Sequence, residues 1–137
     1  LLIVGGSVTH GQTVRALVVL GADMSYIGSR FIATEESMAS HEYKQVLLDS
    51  QASEVVLSPL FSGVPAHYLK ASIARAGLDP EQYTAEEVKI KNIKAWRDVW
   101  SAGHGVGSIT DVIPAAQLVE RLAQEYQTAL QRPAFSI

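Results

Sequence analysis

Two short glycine-containing segments are the residues of this sequence best suited to bind an anion. Val4-Gly5-Gly6-Ser7 and Tyr26-Ile27-Gly28-Ser29 each follow a short apolar run. Because glycine has no Cβ, backbone amides beside it can approach phosphate oxygens closely, and the hydroxyl of Ser29 adds a further donor. Glycine after a strand is also ordinary turn chemistry, and loop statistics taken alone favour that simpler interpretation.

Few other side chains are candidates for chemistry. The chain has no cysteine, which removes disulfides, thiolate nucleophiles and thiolate metal sites. Its histidines lack the spacing of a zinc site, so we predict no metal site. His104 lies between two glycines, in a loop with room for a ligand, and is the histidine best placed to line a pocket. Glu35 and Glu36 are better explained by helix-start electrostatics than by acid–base catalysis, whereas Arg30 fits an anion site and an ion pair equally well.

A βαβ unit is predicted to bring the two glycine segments together. Leu1–Val4 is a continuous apolar run, typical of a strand buried on both faces of a parallel sheet. Gly11–Leu20 has helical spacing of apolar residues, and Ala22–Ile27 is a second short strand. Since neighbouring parallel strands end at the same edge of a sheet, both glycine turns should present their amides at one place.

The rest of the chain is predicted to be a helical and hairpin excursion over residues 31–113, followed by a final helix over residues 114–131. Phe31–Asp49 is interpreted as a long helix, or a turn and a helix, capped near Thr34. Glu54–Ser58 is a short extra strand or hairpin arm, and Ala66–Ala76 is helical. Trp96–Trp100 is also read as helical, with both indoles packed under the final helix.

Composition excludes several classes of partner. The formal net charge is −3 and the estimated pI about 5.8, so a broad basic surface for nucleic acid or an anionic membrane is not expected. No apolar stretch approaches the length of a membrane span, and the absence of cysteine agrees with a cytoplasmic location. The chain starts inside an apolar run without a methionine, which we interpret as a piece of a longer polypeptide.

Three groups of residues carry a resemblance to a known family. Gly21-Ala22-Asp23 and the segment Ile27-Gly28-Ser29-Arg30-Phe31-Ile32-Ala33-Thr34-Glu35-Glu36-Ser37 resemble a signature of nitronate monooxygenases, formerly called 2-nitropropane dioxygenases. Gly63-Val64-Pro65-Ala66 and Ser101-Ala102-Gly103-His104-Gly105-Val106-Gly107 are similar to two further motifs of that family, in the same order. The resemblance therefore extends over nearly the whole chain.

The resemblance implies an α/β fold, namely the C-terminal part of a TIM (β/α)8 barrel with its last two parallel strands and a C-terminal helical region. Residues 1–137 would be one piece of a single FMN-binding domain. By analogy with the family, main-chain amides of Gly5, Gly6 and the turn Tyr26, Ile27, Gly28 and Ser29 would hold the FMN phosphate, with Ser29 replacing the usual threonine. The family's catalytic histidine lies upstream, so no catalytic residue is expected here, and His104 replaces the family's common glutamine.

The family reaction oxidises alkyl nitronates with molecular oxygen to carbonyl compounds and nitrite, so a nitronate and oxygen are the small molecules implied. One alternative is an FMN-dependent enoyl-acyl-carrier-protein reductase, which shares the barrel and the glycine loops. Another is a non-catalytic barrel fragment that needs a partner. Because a two-stranded parallel unit leaves sheet edges and apolar faces uncovered, association is expected, and a homo-oligomer is one form of it.

Overall fold

The computed structural model describes residues 1–132, which form an α/β chain with two small sheets. In chain order the elements are β1 (Ile3–Gly5), α1 (Gly11–Val19), β2 (Met24–Tyr26), α2 (Ser29–Ile32), α3 (His41–Asp49), β3 (Val55–Ser58), β4 (Ala66–Leu69), α4 (Lys70–Arg75), α5 (Ala85–Ile90) and α6 (Ala115–Leu130). Single turns of 3-10 helix occupy Ala52–Glu54 and His104–Ser108.

The predicted βαβ unit is confirmed. β1 and β2 pair in parallel, with Ile3 opposite Met24 and Gly5 opposite Tyr26. The expectation that the first strand is buried on both faces is wrong within this chain, because Ile3 is 54% exposed. Its sheet contains only two strands among residues 1–132, so one edge and much of one face of β1 have no cover.

The final helix is also confirmed, and it packs against α1. Leu118 on α6 is buried, while Val119 on the same helix is exposed. The amide of Gly11, at the start of α1, donates to Oε2 of Glu125 at 2.7 Å. A carboxylate from α6 therefore satisfies one of the amides that every helix leaves unpaired at its N-terminus.

A β-hairpin follows the βαβ unit, as expected for Glu54–Ser58. β3 and β4 are antiparallel, with Val55 opposite Leu69 and Ser58 opposite Ala66. The predicted helix over Ala66–Ala76 is therefore wrong in its first half, and only α4 is helical. Pairing with β3 overrides the helical pattern of these few residues, since strand formation depends on the neighbouring strand more than on local propensity.

The segment Phe31–Asp49 forms a turn and a helix, and its cap differs from the prediction. Ser40, not Thr34, caps α3, because its Oγ accepts a hydrogen bond from the amide of Tyr43 at 3.2 Å. Thr34 instead pairs with Ile113 in an isolated bridge. Glu36 does stand at a helix start, but that helix is α6: the amide of Ala115 donates to Glu36 Oε2 at 2.8 Å.

The predicted helix over Trp96–Trp100 is wrong. The amide of Trp96 donates to the carbonyl of Val99 at 2.8 Å, which closes a tight turn. Trp100 is buried and stacks on Tyr43 with ring centroids 5.0 Å apart, while Trp96 is 64% exposed. Neither indole therefore packs as predicted beneath the final helix.

Most buried apolar side chains fall into two clusters. The hairpin cluster contains Phe61, Tyr68, Ile73, Leu78, Val88, Ile93 and Val99. The central cluster contains Leu47, Val55, Leu69, Trp100, Ala102 and Val106. Both clusters are formed by residues that follow α2, so neither includes a residue of the βαβ unit.

Candidate functional site

The two glycine turns line one cleft of about 190 Å³, as the parallel pairing of β1 and β2 requires. A third segment, which follows Ala102, completes the wall. The residues that line this phosphate cleft are Gly6, Ser7, Val8, Thr9, Tyr26, Gly28, Ser29, Gly103 and Gly105. None of them is acidic.

The first turn bends sharply and touches the third segment. Gly6 has φ of +97° and Ser7 has φ of +54°, both in the left-handed region. A Cβ on Gly105 would lie 2.8 Å from Cα of Ser7, so only glycine permits this approach. Thr9 Oγ1 and Ser108 Oγ lie 2.7 Å apart, and Ser108 also donates to the carbonyl of Gly105. These contacts hold the first turn in place.

The second turn is held to the same segment by Ser29. Its Oγ accepts a hydrogen bond from the amide of Gly103 at 2.8 Å. The hydroxyl proton of Ser29 and the amides of Gly28 and Ser29 donate to no group within residues 1–132. Three donors of this turn are therefore available to a ligand in the cleft.

The cleft suits a phosphate dianion. A Cβ built on Gly6 would meet no atom within 4 Å, and one on Gly28 would meet only Cε1 of Tyr26, at 4.0 Å. The absence of side chains at Gly6 and Gly28 therefore leaves open space beside the backbone of both turns. Uncharged amides and a hydroxyl are groups that stabilise phosphate oxygens, and no carboxylate lines the cleft to repel them.

The structure brings together four of the six residues expected to bind the cofactor. Gly6, Tyr26, Gly28 and Ser29 line the phosphate cleft. Gly5 is instead paired with Tyr26 in the sheet. Ile27 lies in a groove that α6 helps to form, on the other side of β2. The binding roles of these residues stay predictions.

His104 lies next to the cleft but is not among the residues that line it. Its ring contacts that of His67 edge-to-face, with centroids 4.7 Å apart. The flanking residues Gly103 and Gly105 form the wall instead. The sequence signal for these two residues is the run of glycines between Ser101 and Gly107.

Arg30, left undecided between an anion site and an ion pair, forms a buried ion pair. Arg30 is 3% exposed, and its Nη2 lies 2.5 Å from Oδ1 of Asp111. Nη1 donates to the carbonyls of Ala33 and Asp111. Arg121 on α6 binds the other oxygen of Asp111 at 2.8 Å. The guanidinium of Arg30 therefore ties α2, just after Gly28, to the segment before α6.

These contacts shift the protonation of the carboxylate. The hydrogen bond from Arg121 lowers the pKa of Asp111 most, and the charge of Arg30 lowers it further. Burial lowers the pKa of Arg30, an effect that Asp111 opposes. Tyr43 donates to the carbonyl of Ser101, and burial raises its pKa to about 12. Its hydroxyl therefore stays protonated and supports the third segment of the cleft.

Within residues 1–132, none of the helices is both long and apolar enough to cross a membrane.

Comparison with known proteins agrees with this architecture. A model of the nitronate monooxygenase family matches residues 2–125. A probable nitronate monooxygenase of Bacillus subtilis (strain 168) is 29% identical over 134 residues, which cover 88% of this chain and 38% of that protein. The chain thus spans about two fifths of the length of this curated relative.

Solved structures resemble the chain in fold. FabK from Thermotoga maritima matches with a TM-score of 0.71 at 23% identity, over 94% of this chain and 45% of that one. A nitroalkane oxidase from Streptomyces ansochromogenes matches with a TM-score of 0.68 at 26% identity, over 93% of this chain and 40% of that one. Because the family model matches nearly the whole sequence, the chain belongs to the nitronate monooxygenase family.

Proposed function

We propose that this chain supplies the phosphate end of an FMN site in an enzyme that oxidises alkyl nitronates with molecular oxygen to carbonyl compounds and nitrite. One observation carries the proposal: the turns around Gly6 and Gly28 share one cleft that contains amides, a hydroxyl and no carboxylate. Membership of the nitronate monooxygenase family supports the reaction. The chemistry that FMN supplies when bound is acceptance of electrons from the nitronate.

The residues of this chain then have binding and orienting roles. The amides of Gly28 and Ser29 would donate to the phosphate oxygens, and the Ser29 hydroxyl, which accepts from the amide of Gly103, would donate a third hydrogen bond. The contact of Gly105 with Ser7 fixes the opposite wall. Because these donors are held before the ligand arrives, little ordering is needed on binding.

We further propose that the chain is the C-terminal part of a TIM barrel. The parallel pairing of β1 and β2 fits the end of such a barrel, and the relatives are more than twice as long as the stretch they share with this chain. Leu1, Ile3 and Tyr26 are exposed on this chain, at a sheet that further strands would cover. We infer that neighbouring barrel strands pack there, on the same polypeptide or on a partner.

Binding of FMN is tested with two variants of one shape and different charge. Gly28 has φ of −109°, which any residue adopts, and its missing Cβ faces open space. Gly28→Asp places a carboxylate in the cleft, whereas Gly28→Asn places a neutral amide of the same size. We expect Gly28→Asp to weaken FMN binding at least about tenfold more than Gly28→Asn, because like charges repel. Quenching of flavin fluorescence measures both, and riboflavin, which lacks the phosphate, should show no difference between them. Equal FMN affinities for the two variants would contradict the phosphate site.

The reaction is tested on the complete polypeptide. Oxygen uptake and nitrite release with a nitronate support the proposed function, whereas NAD(P)H-driven reduction of an enoyl thioester supports the reductase instead. The likeness to FabK does not decide between them, since at 23% identity it concerns the fold. If the FMN-loaded enzyme reduces the thioester and does not oxidise nitronates, the proposed reaction is contradicted, whereas the proposed FMN site is not.

A further inference from the structure

A second groove has Trp96 in its wall, a residue that does not line the phosphate cleft. This aromatic groove has a volume of about 630 Å³, and its walls include Met38, Tyr43, Arg75, Trp96, Arg97 and Trp100. That size is within the range of small-molecule sites. Met38 is 100% exposed in it. An apolar wall of this kind, in contact with water, is costly unless something covers it.

Trp96 is held in an unusual conformation at the edge of the aromatic groove. Its φ is +63°, in the left-handed region that a bulky side chain rarely adopts. Two hydrogen bonds impose it: the amide of Trp96 donates to Val99, and the amide of Lys94 donates to Oδ2 of Asp98 at 2.8 Å. Such strain costs on the order of 1 kcal/mol or more. Since the indole stays exposed, packing does not explain why the strain is kept.

A guanidinium lies beside this aromatic wall. The Cζ of Arg75 is 4.1 Å from the centroid of Trp100, whose ring also stacks on Tyr43. Nε of Arg75 lies 3.6 Å from Oε1 of Glu42, whose side chain also lines the aromatic groove. The terminal nitrogens of Arg75 donate to no group among residues 1–132. A planar donor pair on an aromatic ring is preorganised to bind a carboxylate-like anion through both oxygens.

The aromatic groove and the phosphate cleft share no lining residue, but one pocket has residues in common with each of them. A smaller pocket shares Ile32 and Trp96 with the groove, and Gly28, Ser29 and Gly103 with the cleft. Trp96 therefore borders both the groove and this connecting pocket. An elongated ligand with its charged end at Arg75 would extend along the indole toward the cleft.

We propose that the aromatic groove binds an amphipathic anion, with its carboxylate-like head on Arg75 and its alkyl chain against Trp96 and Met38. Charge complementarity to Arg75 argues for the anion, and the exposed indole and thioether argue for the chain. The site needs no flavin and is independent of the function proposed above.

The first test uses linear ligands of different length and charge. Octanoate should bind at least about tenfold more tightly than butanoate, since each additional methylene that leaves water adds to the affinity. Octylammonium, which has the same chain and the opposite charge, should not bind measurably. Calorimetry gives the affinities, which should be the same with and without FMN, and tryptophan fluorescence should change on addition of octanoate because Trp96 and Trp100 both line the groove. Octylammonium binding as tightly as octanoate overturns the proposal.

The second test separates binding from folding. Trp96→Gly removes the indole at a position where φ of +63° suits glycine, so its melting temperature should equal or exceed that of the parent chain. Its affinity for octanoate should nevertheless fall about tenfold, while Trp96→Phe keeps most of it.

Arg75→Gln should also lower the affinity for octanoate about tenfold, and Arg15→Gln on α1 serves as the matched control. Unchanged octanoate affinity in Trp96→Gly refutes the site. A second result also refutes it: the parent chain self-associates and does not bind octanoate, and Trp96→Gly abolishes the self-association. In that case a second copy of the chain would cover the groove.

Discussion

The βαβ unit of residues 1–30 and the hairpin unit of residues 52–100 differ in what they bury and what they expose. The exposed large apolar residues of the first unit are Leu1, Leu2, Ile3, Val18, Val19, Leu20, Met24 and Tyr26. The second unit holds all of the hairpin cluster, with Tyr68 and Ile73 fully buried. The first unit thus exposes eight large apolar residues, against five in the second (Leu57, Leu60, Val64, Ile90 and Trp96), and it holds two of the three segments that form the phosphate cleft.

The comparison shows that the candidate cofactor site is held from outside its own sheet. The third segment contacts both turns. Gly105 packs against Ser7 of the first turn, and the amide of Gly103 donates to Ser29 of the second. That segment continues from Ala102 and Trp100 in the central cluster. The amides are therefore positioned by a core formed elsewhere, which leaves the first two strands available to pack against other strands.

The largest effect on stability is expected in the hairpin cluster. Ile73 is fully buried among aromatic and aliphatic side chains, so Ile73→Ala should lower the free energy of unfolding by about 3 kcal/mol. Urea unfolding followed by circular dichroism measures it. Val19→Ala, at an exposed position of α1, is the control and should change stability by less than about 0.5 kcal/mol. Similar losses in both variants would remove the contrast between the two units.

Local periodicity was sufficient to predict the elements whose apolar pattern is long or flanked by glycine. These were the βαβ unit and α6, together with the edge at which the turns of Gly6 and Gly28 meet. Some of the hydrogen bonds that the local pattern did not predict join residues distant in sequence. Glu36 binds the amide of Ala115, 79 residues away, and a local pattern contains no sign of that partner. The error over Trp96–Trp100 has a local cause. The amide of Lys94 donates to the side chain of Asp98 and closes a turn, although the four-residue spacing of the tryptophans also fits a helix.

The next largest effect is expected where the two regions are joined. Arg30 is buried and makes three hydrogen bonds, so Arg30→Gln should lower the free energy of unfolding by about 2 to 3 kcal/mol. This is below the range for a fully buried ion pair because the side chain of Asp111 is 35% exposed. The affinity for FMN should fall as well in Arg30→Gln, because α2, which Arg30 holds in place, directly follows Gly28 of the phosphate cleft. Arg121→Gln, which removes the exposed partner of Asp111, should cost less than about 1 kcal/mol. Equal losses would show that Arg30 is no more important than a surface cation.

A smaller effect is expected from acid. The folded pKa of Asp111 lies below its ordinary value of 3.8, so the contribution of its charge to stability is fully present above pH 3.8 and is lost as pH falls from there through the lower folded pKa. Asp111→Asn lacks this charge at every pH. The stability difference between the parent chain and Asp111→Asn should therefore shrink as pH is lowered below about 4, as thermal unfolding across that range would show. A difference that is constant down to the most acidic buffer would mean that the ion pair does not control this part of the acid response.

The smallest effect on stability is expected at the open sheet. Ile3 is 54% exposed, so Ile3→Ser should change the free energy of unfolding of this chain by less than about 0.5 kcal/mol. The same substitution should nevertheless reduce association of the chain, seen by sedimentation, because exposed apolar strands at a sheet edge pair with other chains. In the complete polypeptide Ile3→Ser should instead cost about 2 kcal/mol or more, since further strands would bury the position. A small loss in both contexts would contradict the inference that barrel strands cover β1, and would leave the exposed edge as a true surface of the protein.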